Sequence, residues 1–288
     1  MVLDEEIVKE FICSTAGFDG GDLGCPENRS IWLCGIEWGS GYTDGKKLKD
    51  DIKNWKQEQE QEYKSLKELE NERFYKGYKY KCMNFAYTYN NKATRLLSLL
   101  FHYCESQNGD FKKDLDFDEK AMKFNDKYEP FVLKEKQTTK EKQGFFKLNL
   151  YPIAFNNTRD KKTRNEILKN AEIGFECDSV YKESCKNNRF PLLKKLKEQR
   201  KPKIIICVGF GTRWEFAEAF FGKKNYELKE DKYDNDVSIW YDTKNDDDTL
   251  FVVIKFLSDM GSCLNNDEKI NKCAYLIAQK VKDKNINL

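Results

Sequence analysis

The run Ser30 to Tyr42, SIWLCGIEWGSGY, constrains this fold most, because an apolar stretch stops abruptly in a glycine-rich turn. Ile31 to Ile36 is too short and too apolar for an exposed helix, and it predicts a strand buried on both faces. Glu37 and Trp38 follow it, and Gly35, Gly39 and Gly41 leave the backbone free to turn sharply and approach a ligand closely. In open α/β sheets ligands bind at that end of the strands. The competing reading is an ordinary strand-to-loop exit with Glu37 in solvent.

Three later runs repeat the pattern. Phe145 to Tyr151, FFKLNLY, predicts a strand that ends at Asn149 and is broken by Pro152. Lys203 to Gly209, KIIICVG, predicts another. Val237 to Tyr241 and Leu250 to Phe256, separated by the turn-rich Asp242 to Asp248, predict a hairpin feeding the last central strand. After it comes LSDMGSCLNN, a loop of small and polar residues from Leu257 to Asn266. Helices are predicted over Met1 to Cys13, Lys92 to Cys104, near Asp118 to Tyr128, and over Pro191 to Arg200, Thr212 to Phe221 and Asp267 to Lys282. Thr212 and Glu215 have capping-box spacing. These units predict an α/β fold, a three-layer α/β/α domain with a central, mainly parallel four-stranded sheet and helical insertions. Residues 1–288 read as a single domain with polar insertions at about 44–82 and 105–143. The first carries Leu48, Ile52, Trp55, Tyr63, Leu66, Leu69 and Phe74 near helical spacing, which predicts a long helix or helical hairpin with a charged, solvated face.

Basic and acidic residues nearly cancel, 51 against 49, so any polyanion site is local. Basic candidates are the loop with Arg159, Lys161, Lys162 and Arg164, and Lys194 to Lys203. The aromatic run Phe74 to Tyr89, interleaved with Lys76, Lys79 and Lys81, suits either a single nucleic acid strand or a packed core edge. The ten cysteines lie partly in apolar runs, and with no membrane-length apolar segment they imply a reduced, cytoplasmic protein. Their spacing, with His102 as the sole histidine, implies no metal. His102 sits in an apolar helical series, as a packed residue would. Gly209 and Gly211 lack the rest of a dinucleotide fingerprint. Asn149 offers donor and acceptor in one plane, fit for a base edge, or a local turn partner.

Taken together, GIEWG, TYNNKATRLLSLL, LNLYP, CKNNRFPLLKKLKEQRKPKIIICVG and LSDMGS resemble, in order and rough spacing, the uracil-DNA glycosylase superfamily. The resemblance implies a DNA partner and base flipping in DNA repair, a hydrolase activity on the N-glycosidic bond, and no cofactor, because the cysteine set of the iron-sulfur branch is matched only by Cys185. It implies that Glu37 positions or activates water, that Tyr89 stacks on the extruded base and that Asn149 reads its edge. Leu257 to Ser262 corresponds to the loop that presses into the minor groove. Ser258 and Asp259 there join Glu37 as catalytic candidates; Gly35, Trp38, Met260 and Ser262 join Tyr89 and Asn149 as substrate-binding ones. The chain departs from the pattern where that loop opens without histidine and where Trp38 replaces a proline. A divergent DNA glycosylase is therefore the leading expectation. The alternatives are a catalytically inactive nucleic-acid-binding relative and a protein-interaction module using the charged helical insertion.

Overall fold

The four apolar runs lie side by side at the centre of one sheet. The computed structural model describes residues 2–37, 41–55, 63–76, 88–106, 110–128, 144–155, 160–223, 225–244 and 248–288. Strands β1 (Gly20–Asp22), β2 (Ile31–Gly35), β3 (Phe74–Lys76), β4 (Phe145–Asn149), β5 (Ile204–Val208), β6 (Leu228–Lys232), β7 (Ser238–Asp242) and β8 (Leu250–Ile254) have the spatial order β3-β1-β4-β2-β5-β8-β7-β6. The four inner strands β4, β2, β5 and β8 are parallel, and both flanks are antiparallel. The sheet is thus mixed and eight-stranded, larger than the four strands expected. Three of the additions are short or polar: β1 and β3 have three residues each, and β6 reads LKEDK, a charged edge that resists pairing with another chain; the fourth, β7, is the hairpin partner expected beside β8.

Side chains of the inner strands alternate between two cores, as a period of two requires. Trp32, Cys34, Phe146, Leu148, Ile205, Cys207, Phe251 and Val253 face one core. It is closed by α1 (Glu5–Ile12), α2 (Gly45–Asn54), α5 (Lys161–Ala171), α6 (Asp178–Asn188), α7 (Phe190–Arg200) and α8 (Arg213–Phe221). Ile31, Leu33, Phe145, Ile204, Ile206, Val208, Leu250, Val252 and Ile254 face the other, under α3 (Thr88–Glu105), α4 (Phe117–Tyr128) and α9 (Asp267–Asp283). Helices therefore cover both faces. Each such aliphatic or aromatic side chain contributes about 1.5–3 kcal/mol on burial, which fixes the register against slippage.

The stretch read as a long helix or hairpin resolves differently. Its described residues form α2, a 3₁₀ turn over Glu68–Asn71 and β3. Leu48, Ile52, Trp55, Leu66 and Leu69 are buried in the first core, so the apolar spacing marks inward-facing positions across several short elements. Helix α3 starts four residues earlier than expected and carries Tyr89 in its first turn. The Thr212 hydroxyl makes no capping bond; a 3₁₀ turn, Phe210–Thr212, leads into α8 instead. His102 is a half-buried helix residue beside Lys120. The described cysteines are unbridged, and no described helix is long and apolar enough to cross a membrane.

Candidate functional site

Because β2, β4, β5 and β8 are parallel, the loops after them share one edge of the sheet, which brings Glu37, Asn149 and Ser258 to the same side. Gly35 and Asn149 are register partners at the ends of β2 and β4. Asn149 is buried, and its Nδ2 donates to the Gly17 carbonyl at 2.9 Å. Its Oδ1 lies over Gly35 so closely that a Cβ there would meet it at 2.2 Å. A β-carbon at Gly41 would lie 2.1 Å from the Ala154 carbonyl oxygen, so the chain after β2 returns tight against the segment after β4. Gly35→Ala should therefore push the Asn149 amide aside and cost about 1–3 kcal/mol, the usual penalty for overpacking. Urea denaturation measures it; a loss too small to resolve would mean that the amide swings away freely.

Below Asn149 on the same face of β4 sits a largely covered cation. The Lys147 ammonium is 2.7 Å from an Asp19 carboxylate oxygen and donates to Asn90 Oδ1 at 3.0 Å. It also lies 4.8 Å from the centre of the Tyr89 ring, a cation–π contact. The Tyr89 hydroxyl is buried and accepts or donates no hydrogen bond among the described residues, and burial pushes its pKa well above the ordinary value. Tyr89 is thus at the site, with Lys147 against its ring. One turn on, Lys92 of α3 donates to the Asn265 carbonyl at 3.1 Å and pairs with Asp259 at 2.7 Å, tying the loop after β8 to the start of α3.

Glu37 is held by a separate set of partners. Its side chain is 1% exposed, and Oε1 accepts from Arg164 Nη1 of α5 at 2.9 Å. Arg164 also donates to Asp178 of α6 through Nη2, at 2.5 Å, and lies over the Phe155 ring. Lys182 reaches Asp178 at 3.4 Å. Burial outweighs Arg164 and raises the Glu37 pKa from 4.5 to about 7, with Asp178 adding to the rise. Glu37 Oε2 is buried and accepts no hydrogen bond among the described residues. Glu37 is therefore a buried carboxyl and not the solvated residue of an ordinary strand-to-loop exit, and Arg164, counted in a basic loop, is a buried partner of two carboxylates. The second basic stretch is also largely engaged: Lys194 pairs with Glu198, Lys195 with Glu70, and Lys197 and Arg200 are buried.

In the loop after β8, Ser258 is half-buried and its hydroxyl accepts from the Met260 N–H at 3.5 Å. Asp259 and Ser262 are exposed, and Met260 is 48% exposed, an unusual outward position for a large apolar side chain. Trp38 lies outside the described residues. Among the described residues no group of three or more His, Cys, Asp or Glu side chains could hold a metal ion. Lys147, Asp19, Lys92 and Asp178 were absent from the sequence-based candidates, and Arg164 entered them only as part of a basic loop. The one available signal was Lys147 itself, a charge inside an otherwise apolar strand. Comparison with known proteins finds no matching family model and no curated protein of significant similarity.

Proposed function

We propose that this chain is a divergent relative of the uracil-DNA glycosylases that holds a base turned out of DNA at the carboxyl edge of β2 and β4 and hydrolyses its N-glycosidic bond. The observation that carries the reading is Glu37: a buried carboxyl with a pKa raised to about 7, one oxygen fixed by Arg164 and the other accepting nothing among the described residues, two positions past the Gly35–Asn149 pair. A carboxyl poised near neutrality suits general base catalysis. In the proposed step Glu37 Oε2 takes a proton from water, the water oxygen bonds to the sugar C1′, and the base leaves with the electron pair of the C1′–N bond. Asn149 meets the edge of that base, and the Lys147 ammonium, two residues along the same strand, supports the negative charge it acquires. Ser258 and Asp259 act by shaping the loop that Lys92 anchors. Met260 is the apolar wedge that fills the space the base vacates, offsetting an unstacking cost of a few kcal/mol.

A duplex and single-strand panel carrying uracil, hypoxanthine, and alkylated and oxidised bases tests this. Incubation followed by alkali should cleave at least one substrate at an abasic site. The Glu37–Arg164 pair also favours a second reading, binding without chemistry, because the guanidinium holds the carboxyl away from solvent. Binding without cleavage on the whole panel selects that reading, and no binding at low salt sinks both.

A further inference from the structure

Six large apolar side chains are notably exposed among the described residues, and three of them, Trp214, Phe256 and Met260, follow the adjacent strands β5 and β8 at their carboxyl edge. The β5 exit joins this edge to the candidate site: a Cβ at Gly209 would touch both Ile36, beside Glu37, and Phe256. From there the 3₁₀ turn delivers Arg213 and Trp214 at the start of α8. Trp214 is 46% exposed, with its ring 6.2 Å from those of Tyr226 and Trp240. The Arg213 guanidinium lies 5.2 Å from the centre of the Trp214 ring and 4.5 Å from that of Trp240.

The charge around this cluster decides what fits it. Arg213 Nη1 donates to the Phe210 carbonyl at 2.8 Å, and no carboxylate among the described residues lies within ion-pair distance. The two α8 carboxylates are engaged elsewhere: Glu218 lies 3.9 Å from Lys186 and 3.8 Å from Lys223, and Glu215 lies beside the buried Tyr151 hydroxyl. The surface thus offers a half-exposed indole beside a guanidinium whose donors are not taken by an acid. A stacking platform next to an uncompensated planar cation matches a nucleobase and its phosphate, since every base has a π-face and Arg pairs with phosphate oxygens. An apolar protein surface would leave Arg213 buried without an acceptor.

We infer that Trp214, with Arg213 braced between Trp214 and Trp240, is a second nucleotide-binding position, which stacks an unpaired base of the strand flanking the one held at Asn149. This rests on the nucleic-acid reading above. Anisotropy of a fluorescein-labelled oligothymidylate, with increasing salt, tests it on the full chain. Trp214→Ala should weaken binding roughly 5- to 100-fold, the range for losing one base–aromatic stack, whereas Trp214→Phe should keep most of the affinity. Arg213→Gln should lower the slope of log affinity against log salt by about 0.7, one phosphate contact on a single strand. Trp214 is half in solvent, so its variants should keep the wild-type circular dichroism spectrum. Wild-type binding that is unaffected by all three variants overturns the second position and leaves the Asn149 reading standing. A wild-type protein that binds no oligonucleotide overturns both.

Discussion

Glu37→Gln should lower the single-turnover rate of base release by about 100-fold or more, the scale for losing a positioned general base, while leaving DNA affinity unchanged. The variant keeps the shape and the acceptor for Arg164 and removes only the titrating group. The wild-type rate should rise with pH and reach half its maximum near 7, where Glu37 loses its proton; the Gln variant should lack that step. The same group makes a stability prediction with a definite sign. The folded carboxyl holds its proton to about pH 7, and an unfolded one releases it near 4.5. Between those values the folded state carries the extra proton, so stability is fully present below about 4.5 and falls as pH rises through 7. For a side chain this buried the loss is on the order of 3 kcal/mol. Thermal melts from pH 4 to 8 should show wild type declining relative to Glu37→Gln. Activity untouched by the substitution would remove Glu37 from the chemistry, and parallel melting curves would remove its raised pKa.

The interior strands were legible in the sequence because a strand buried on both faces must be apolar throughout, and IWLCG, IIICV and LFVVI admit no helical alternative of that length. The edges were not. In β6 the alternation is hidden because charged side chains stand on both faces, Asp231 paired with Lys280 on one and Glu230 with Lys232 on the other, while Leu228 packs against the first core. Gly20 and Gly21 of β1 carry no side chain to signal a strand, yet a Cβ at Gly21 would strike the Phe145 carbonyl at 2.3 Å. Of the candidate site, the strand-end positions Gly35, Glu37 and Asn149 could be read from where apolar runs stop. Their partners could not. Arg164 lies 127 residues from Glu37, Asp19 lies on the loop before β1, and nothing in a linear charge pattern distinguishes a guanidinium buried between two carboxylates from one facing a phosphate.

Arg189→Met should destabilise the protein by about 1–3 kcal/mol, read as a fall in the urea midpoint with little change in slope. Arg189 is fully buried, and its guanidinium has backbone carbonyls as its hydrogen-bond partners: Nε donates to Leu150 at 3.0 Å, Nη1 to Ile12 and Ser14 at 2.9 and 2.6 Å, and Nη2 to Ala16 and Asn149 at 2.9 and 3.4 Å. Met fills similar space but leaves these acceptors without a donor, and an unsatisfied buried polar group costs about 1–3 kcal/mol. Lysine should not rescue, because one ammonium cannot span carbonyls arranged for a planar fork. The consequence reaches the site. Arg189 pins the segment ending at Ala16 to the end of β4, and the next carbonyl, Gly17, is the one that holds Asn149 Nδ2. The variant should therefore lose base recognition at temperatures where it remains folded, matching Asn149→Ala in affinity while differing from it in stability. An Arg189→Met protein as stable as wild type would mean that these carbonyls find other donors, and normal base binding in a destabilised one would separate the Gly17 segment from recognition.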